Sequence, residues 1–168
     1  GEQHLVFDGI ISNWSLHWVS GKDQLMQNIN SLTRPGATFM FSTCEALPTI
    51  LTMIDRYIRD EFRIQNASSP FFYLNAKEWE DLLNQHGWYL TGKKTYRVNR
   101  EEESAKKYVN AWFAASTTKF MYGKHLVELP ALSHSDLIWM MQRAFPSRRH
   151  ENGIAFSEDV MFITARKK

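Results

Sequence analysis

Phe7-Asp8-Gly9-Ile10-Ile11-Ser12-Asn13-Trp14-Ser15-Leu16-His17-Trp18-Val19 is the stretch whose reading decides the fold of this chain. Phe7 to Ile11 is a short, mostly apolar run that suits a buried strand or the middle of a buried helix. Its length, Gly9 and the β-branched pair Ile10-Ile11 favour the strand. Ser12, Asn13 and Ser15 follow at once, and then Leu16, His17 and Trp18. A buried strand therefore ends in a cluster of hydrogen-bonding and aromatic side chains. In open α/β sheets ligands bind just beyond the carboxyl ends of strands. Ser12 and Asn13 are equally suited to satisfying the backbone of a tight turn, and spacing alone does not choose between the two roles.

Working outward, Ser20 reads as an N-cap with Asp23 at the N3 position, and Leu25, Ile29 and Leu32 recur at helical spacing. Arg34-Pro35-Gly36 stops that helix, because proline restricts its predecessor and glycine permits the turn. Ala37 to Thr43 is the second strand. Strand, helix and strand joined by short links make a right-handed parallel unit. Both strands are apolar at consecutive positions, the pattern of strands covered on both faces.

Pro48 fits the first turn of the next helix, whose apolar stripe is Ile50, Leu51, Ile54, Tyr57, Ile58 and Phe62. Gln65 to Pro70 is a loop. Asn75 with Glu78 forms a capping-box variant, and the helix it starts ends at His86-Gly87. Trp88 to Val98 reads as a strand that Gly92-Lys93-Lys94 interrupts with a bulge or an exposed edge. Asn99 with Glu102 repeats the capping pattern before a helix with Tyr108, Val109, Trp112 and Phe113 on its apolar face. Thr117 to Leu132 reads as a packed irregular segment or lid. Ser133 with Asp136 starts the last helix, and Ile154 to Arg166 the last strand.

Composition bounds the function. A chain of 168 residues, 43% hydrophobic and 23% charged, is an ordinary globular domain, and 1–168 is read as a single one. The net charge of +2 is too small to argue for nucleic acid or an anionic membrane as partner. One cysteine, Cys44, excludes an internal disulfide and a Cys-rich zinc site, and fits a reducing, cytoplasmic location. The six histidines show no metal-ligand spacing, and no nucleophile elbow, phosphate loop or glycine-rich dinucleotide motif occurs. Cys44 and Glu45 just after the second strand are candidates for chemistry, though an inert small residue is the commoner role of such a cysteine. His17 is either a general base or a side chain that caps its own loop. Gly1 to Leu5 leaves little room before the first strand, so the chain reads as a piece of a longer protein or a processed product.

Taken in order, these motifs resemble class I S-adenosylmethionine-dependent methyltransferases. Phe7-Asp8 opening a strand that ends in Ser12-Asn13, the Leu16-His17-Trp18 turn, the helix, Arg34-Pro35-Gly36 and Phe39-Met40-Phe41-Ser42 resemble the fourth and fifth strands of that family with their connection. Leu74 to Leu83 with His86-Gly87-Trp88 is similar to the next helix and sixth strand, and Asp159 to Lys168 to an antiparallel seventh. The group closest in flavour contains malonyl-acyl-carrier-protein and trans-aconitate methyltransferases.

The resemblance implies a partial doubly wound, Rossmann-like α/β sheet, strands four to seven, in the order fourth, fifth, seventh, sixth, with helices on both faces. It implies a C-terminal part without the family's glycine-rich cofactor loop. It further implies S-adenosylmethionine as cofactor of the parent protein, beside Ser12, Asn13 and Trp14. His17 would be the catalytic candidate, and Trp18, Thr43, Cys44 and Glu45 would face a small-molecule or carrier-bound acceptor. The alternative is a non-catalytic pseudo-methyltransferase or protein-interaction module. With the family's first strand missing from its side, Phe7–Ile11 becomes an apolar edge that invites self-association.

Overall fold

Alternate residues of two strands make one face of a sheet. Ala37, Phe39 and Phe41 are buried while Met40 between them is exposed, and Met161, Ile163 and Ala165 are buried around an exposed Phe162. The computed structural model describes residues 6–65, 68–115, 119–122, 125–128 and 134–168. Its principal sheet has the strands β1 (Phe7–Asn13), β2 (Thr33–Cys44), β3 (Trp88–Glu102) and β6 (Ile154–Lys167) in the order β1-β2-β6-β3. β1 runs parallel to β2, and β6 runs antiparallel to β2. This is the α/β class and the spatial order expected from the resemblance.

The strands differ from expectation in cover. β1 is exposed along most of its length rather than buried, with Phe7 at 47% and Ile11 at 74% exposure. Among the described residues it lies at the end of the sheet, with β2 as its one neighbour. β2 is longer than the predicted Ala37–Thr43 because Thr33 already pairs with Phe7. Gly9 then pairs with Thr38, so Arg34 to Ala37 stand opposite Asp8 alone. The Arg-Pro-Gly sequence thus makes a bulge inside the ladder, where Gly36 takes φ +81°, a conformation that glycine adopts without strain. The Arg34 guanidinium reaches across the bulge to the Asp8 carboxylate.

Internal contacts group the chain into two compact units, the first comprising residues 1–47, 71–97 and 159–168 and the second residues 48–70 and 98–158. In the first, α1 (Lys22–Ser31) and α3 (Ala76–Gln85) cover one face of the sheet. Met26, Ile29, Trp79, Leu82 and Leu83 pack there on Phe39, Phe41, Trp88, Met161 and Ile163. Each such side chain contributes about 1.5–3 kcal/mol relative to exposure. Helix α1 begins later than predicted. Its N-cap is Gly21, not Ser20, and its buried residues are Lys22, Met26 and Ile29, whereas Leu32 is 44% exposed. Trp88 Nε1 donates to Asn30 Oδ1 at 2.7 Å, and Asn30 Nδ2 to the His86 carbonyl at 2.9 Å, tying α1 to the end of α3 and the start of β3.

The Asn75 capping box of α3 is present as predicted. Asn75 Oδ1 accepts from the Glu78 amide at 2.9 Å, and Glu78 Oε2 accepts from the Asn75 amide at 2.7 Å. Gly87 follows the helix with φ +79°. Asn75→Ala is expected to destabilise the chain by about 1 kcal/mol in urea denaturation, and an unchanged midpoint would mean that tertiary packing alone fixes this helix start.

In the second unit, α2 (Thr49–Glu61) buries Ile50, Ile54, Tyr57 and Ile58. α4 (Ala105–Ala115) buries Ala105 and Val109, and α5 (Ser135–Ala144) buries Leu137 and Met141. The side chains of Trp112 and Phe113, and Ser133, lie outside the described residues. Asn99 and Glu102 do not cap α4; both belong to β3, and Ser104 Oγ accepts from the Lys107 amide instead. The stretch read as an irregular segment or lid contains β4 (Lys119–Tyr122) paired antiparallel with β5 (His125–Glu128).

Candidate functional site at the carboxyl end of the parallel strands

β1 ends at Asn13 beside Ser42 of β2, and the polar side chains there are joined. Ser42 Oγ–H donates to Asn13 Oδ1. The Trp14 amide donates to the Ser42 carbonyl and to Ser42 Oγ, each at 3.3 Å. The Ser12 and Ser15 hydroxyls form a second pair at 2.6 Å. Trp14 has φ +52°, in the left-handed region that bulky side chains avoid. A conformation of this kind costs about 1–3 kcal/mol and persists only where its surroundings enforce it, typically at functional sites. Here the two bonds to Ser42 enforce it. Because Asn13 Oδ1 accepts from Ser42, its Nδ2 hydrogens are left to donate outward.

Beyond Trp14 a 3-10 turn, Leu16–Trp18, carries the aromatic cluster. The His17 ring is 6% exposed and stacks on Tyr73 with centroids 5.1 Å apart and planes 2° from parallel. Trp14 meets it edge-on at 5.8 Å, and Trp18 lies tilted at 5.1 Å. The His17 carbonyl accepts from the Phe72 amide at 2.8 Å, whereas ring atom Nδ1 has no hydrogen-bond partner among the described residues. Nδ1 of His17 therefore does not cap the loop. Burial, and secondly the Lys22 ammonium, lower its pKa to about 4, so the imidazole is neutral at pH 7.

Lys22 is the residue that sequence reasoning missed. It is 8% exposed, and its Nζ donates to the Leu16 carbonyl at 2.7 Å and to the Val19 carbonyl. The same nitrogen lies 5.9 Å from the ring centres of Phe72 and Trp79. One side chain thus clamps both ends of the turn that presents His17 and Trp18. The signal was present in the sequence: Lys22, Met26 and Ile29 stand at i, i+4 and i+7, so a lysine occupies the buried stripe of α1. Ser42 and Tyr73 were also missed, for each owes its place to pairing distant in sequence.

A cleft of about 290 Å³ opens beside Asn13 on the sheet face away from α1 and α3. Ile11, Asn13, Met40, Ser42, Phe162 and Thr164 line it. Ser12, Asn13, Trp14, His17 and Trp18 are brought to one end of the first unit, with Trp18 44% exposed and leaning on Phe71 at 5.2 Å. Thr43 and Cys44 continue β2 beyond Ser42 but are buried at 1% and 2% exposure, and the Thr43 hydroxyl is directed to the Cys44 carbonyl at 3.4 Å. Glu45 is exposed. Among the described residues no three His, Cys, Asp or Glu side chains are placed to hold a metal ion, and no helix is long and apolar enough to cross a membrane.

No family model matches the chain, and no curated protein matches it in sequence. Solved structures do. A protein of Bacillus halodurans assigned as a methyltransferase superposes with a TM-score of 0.59 at 9% identity, over 96% of this chain and 64% of its own length. The YcgJ protein of Bacillus subtilis superposes with a TM-score of 0.54 at 11% identity, over 97% of this chain and 64% of its own. The chain thus spans 64% of the length of either structure. At such identities the likeness is one of fold: the chain has the Rossmann-like α/β fold that methyltransferases use.

Proposed function

We propose that this chain is the acceptor-side, C-terminal half of an S-adenosylmethionine-dependent methyltransferase that acts on a small-molecule or carrier-bound acceptor. The observation that carries the reading is the Ser12-Asn13-Trp14 corner. It is a strained, polar strand end tied to Ser42 beside an open cleft, at the end of a parallel strand pair where such folds bind ligands. The outward Asn13 Nδ2 hydrogens and the Ser12 hydroxyl suit the carboxylate of an amino-acid moiety, and the Trp14 ring its aliphatic arm. When bound, the cofactor supplies a methyl group made electrophilic by a sulfonium. The chain's own residues position the partners and exclude water. Trp18 and Glu45 stand toward the acceptor, and Thr43 and Cys44 support the strand behind them.

The buried His17 refines the acceptor. An imidazole with a pKa of about 4 is a poor base at neutral pH. That favours an acceptor already ionised, such as a carboxylate, in line with the malonyl-acyl-carrier-protein and trans-aconitate group that the motifs resemble. His17 then serves as a neutral aromatic wall behind the acceptor. A second reading, the non-catalytic interaction module, is favoured by the burial of Thr43 and Cys44 and by the exposure of Ile11, Met40 and Phe162.

Nuclear magnetic resonance titration of the chain with S-adenosylhomocysteine tests the assignment. Shifts are expected at Ser12, Asn13 and Trp14, with a dissociation constant of about 1 mM or weaker, and their loss is expected in Asn13→Ala. No shift at these residues up to about 10 mM would overturn the cofactor assignment and leave the interaction module.

A further inference from the structure

Ser42 is a buried hydroxyl at the end of an apolar run. It follows Phe39-Met40-Phe41 and by alternation shares a sheet face with Met40, yet it is 3% exposed where Met40 is 40%. Burying a hydroxyl is unfavourable unless hydrogen bonds offset the loss of water, and valine would continue the run with a higher strand propensity. Ser42 is no member of the apolar core between the sheet and its helices. Among the described residues the partners of its side chain both belong to the end of β1: Oγ–H donates to Asn13 Oδ1, and Oγ accepts from the Trp14 amide at 3.3 Å.

These bonds decide which way the Asn13 amide faces. Turned about, its NH2 group would donate to a Ser42 Oγ that already accepts from Trp14, and the Ser42 hydrogen would be left without an acceptor among the described residues. A buried donor without an acceptor is costly, so Oδ1 is held inward. Asn13 itself is exposed, and an untethered amide there would turn about Cβ–Cγ to offer a ligand either its oxygen or its nitrogen. Tethered, it can only donate. The same serine also holds Trp14, the next residue, at φ +52°, through Oγ and through its carbonyl. We propose that Ser42 is the positioning residue of this site: its hydroxyl fixes the Asn13 amide with both Nδ2 hydrogens outward, so that the strand end takes a carboxylate in preference to an amine. The identity of that carboxylate, the amino-acid end of the cofactor, rests on the function proposed above. The selectivity is assigned to a residue that acts through Asn13 and not by its own contact.

Nuclear magnetic resonance on the full chain, as wild type, Ser42→Ala and Ser42→Thr, tests the proposal. Two ligands are titrated, S-adenosylhomocysteine and its analogue lacking only the carboxylate. The wild type is expected to favour the first about tenfold, the scale of one charge-assisted hydrogen bond. In Ser42→Ala the preference is expected to fall to about threefold or less, and Ser42→Thr, which keeps the hydroxyl, is expected to restore it. A packing defect alone would weaken both ligands together and leave their ratio unchanged. Without ligand, the Asn13 Nδ2 group is expected to be ordered in the wild type and in Ser42→Thr and mobile in Ser42→Ala. Alanine strands no buried group, since Asn13 is exposed and the Trp14 amide keeps the carbonyl of residue 42 at 3.3 Å, so the fold survives. A wild type that binds with a ratio unchanged in Ser42→Ala would overturn the proposal, as would an Asn13 amide equally ordered in that variant. No binding of either ligand to the wild type would overturn the cofactor reading and the carboxylate with it. The order of the Asn13 amide would then still decide whether Ser42 positions it.

Discussion

Lowering the pH from 6.5 toward 4 is expected to remove about 3 kcal/mol of folding stability through His17 alone. The unfolded chain protonates this imidazole near its ordinary value of 6.5, whereas the folded chain resists protonation down to about 4. Between those values the unfolded state binds more protons, so stability rises with pH, is fully present above 6.5 and is lost as the pH falls. The cause is local. Tyr73 covers one face of the ring, Trp14 and Trp18 approach it, and the Lys22 ammonium adds a repulsive charge. Urea denaturation of the wild-type chain and of His17→Phe, at about pH 7 and about pH 4.5, isolates this contribution from the carboxylates, which titrate in both proteins. The variant keeps a ring against Tyr73 and is expected to lose markedly less stability on acidification. Equal losses in the two proteins would mean that the imidazole is hydrated in the folded state, and the picture of His17 as a neutral wall would fall with it.

The sequence carried the sheet further than it carried the site. Gly9-Ile10-Ile11 and Gly87 each encode a local conformation, and β1, the end of α3 and its capping box appear where the sequence puts them, whereas Pro35-Gly36 makes a bulge inside β2 and not a turn ahead of it. Cover was less legible. Consecutive apolar residues in β1 and β2 imply two buried faces, yet Ile11 and Met40 are exposed, because burial depends on what packs across a strand and not on its own composition. The cap at Asn99 failed for a related reason: pairing in the ladder extends β3 past it, and Ser104 takes over. At the site, Ser12, Asn13, Trp14, His17 and Trp18 are contiguous and could be chosen from the sequence. Ser42 could not, since its role arises when β2 lies beside β1, and Lys22 was marked only by its place on the buried stripe of α1, its two carbonyl partners appearing once α1 folds back over the turn.

Lys22→Met carries the second large expectation, a loss of about 1–3 kcal/mol, because the Val19 carbonyl loses its side-chain donor and the Leu16 carbonyl keeps only the Val19 amide, and an unsatisfied buried group costs about 1–3 kcal/mol. Methionine fills nearly the same volume between Phe72 and Trp79, so a loss of this size reflects the hydrogen bonds and not a cavity. The substitution has two pH signatures that a packing defect lacks. Burial lowers the Lys22 pKa from 10.5 to about 8, so the folded wild-type chain releases this proton before the unfolded one does. Its stability therefore gains as the pH rises from 8 toward 10.5, a gain expected to be absent in the variant. The neutral amine still has two hydrogens for its two carbonyls, so the turn is not released in that range. Removing the ammonium also relieves the repulsion felt by His17, whose pKa is expected to rise from about 4 toward its ordinary value without reaching it, since burial is the larger cause. The imidazole titration, followed through its carbon-bound protons, checks this directly. A Lys22→Met chain as stable as wild type, with the His17 titration unmoved, would mean that the Leu16–Trp18 turn supports itself. A destabilised variant with a raised His17 pKa would establish Lys22 as the residue that positions the aromatic wall of the site.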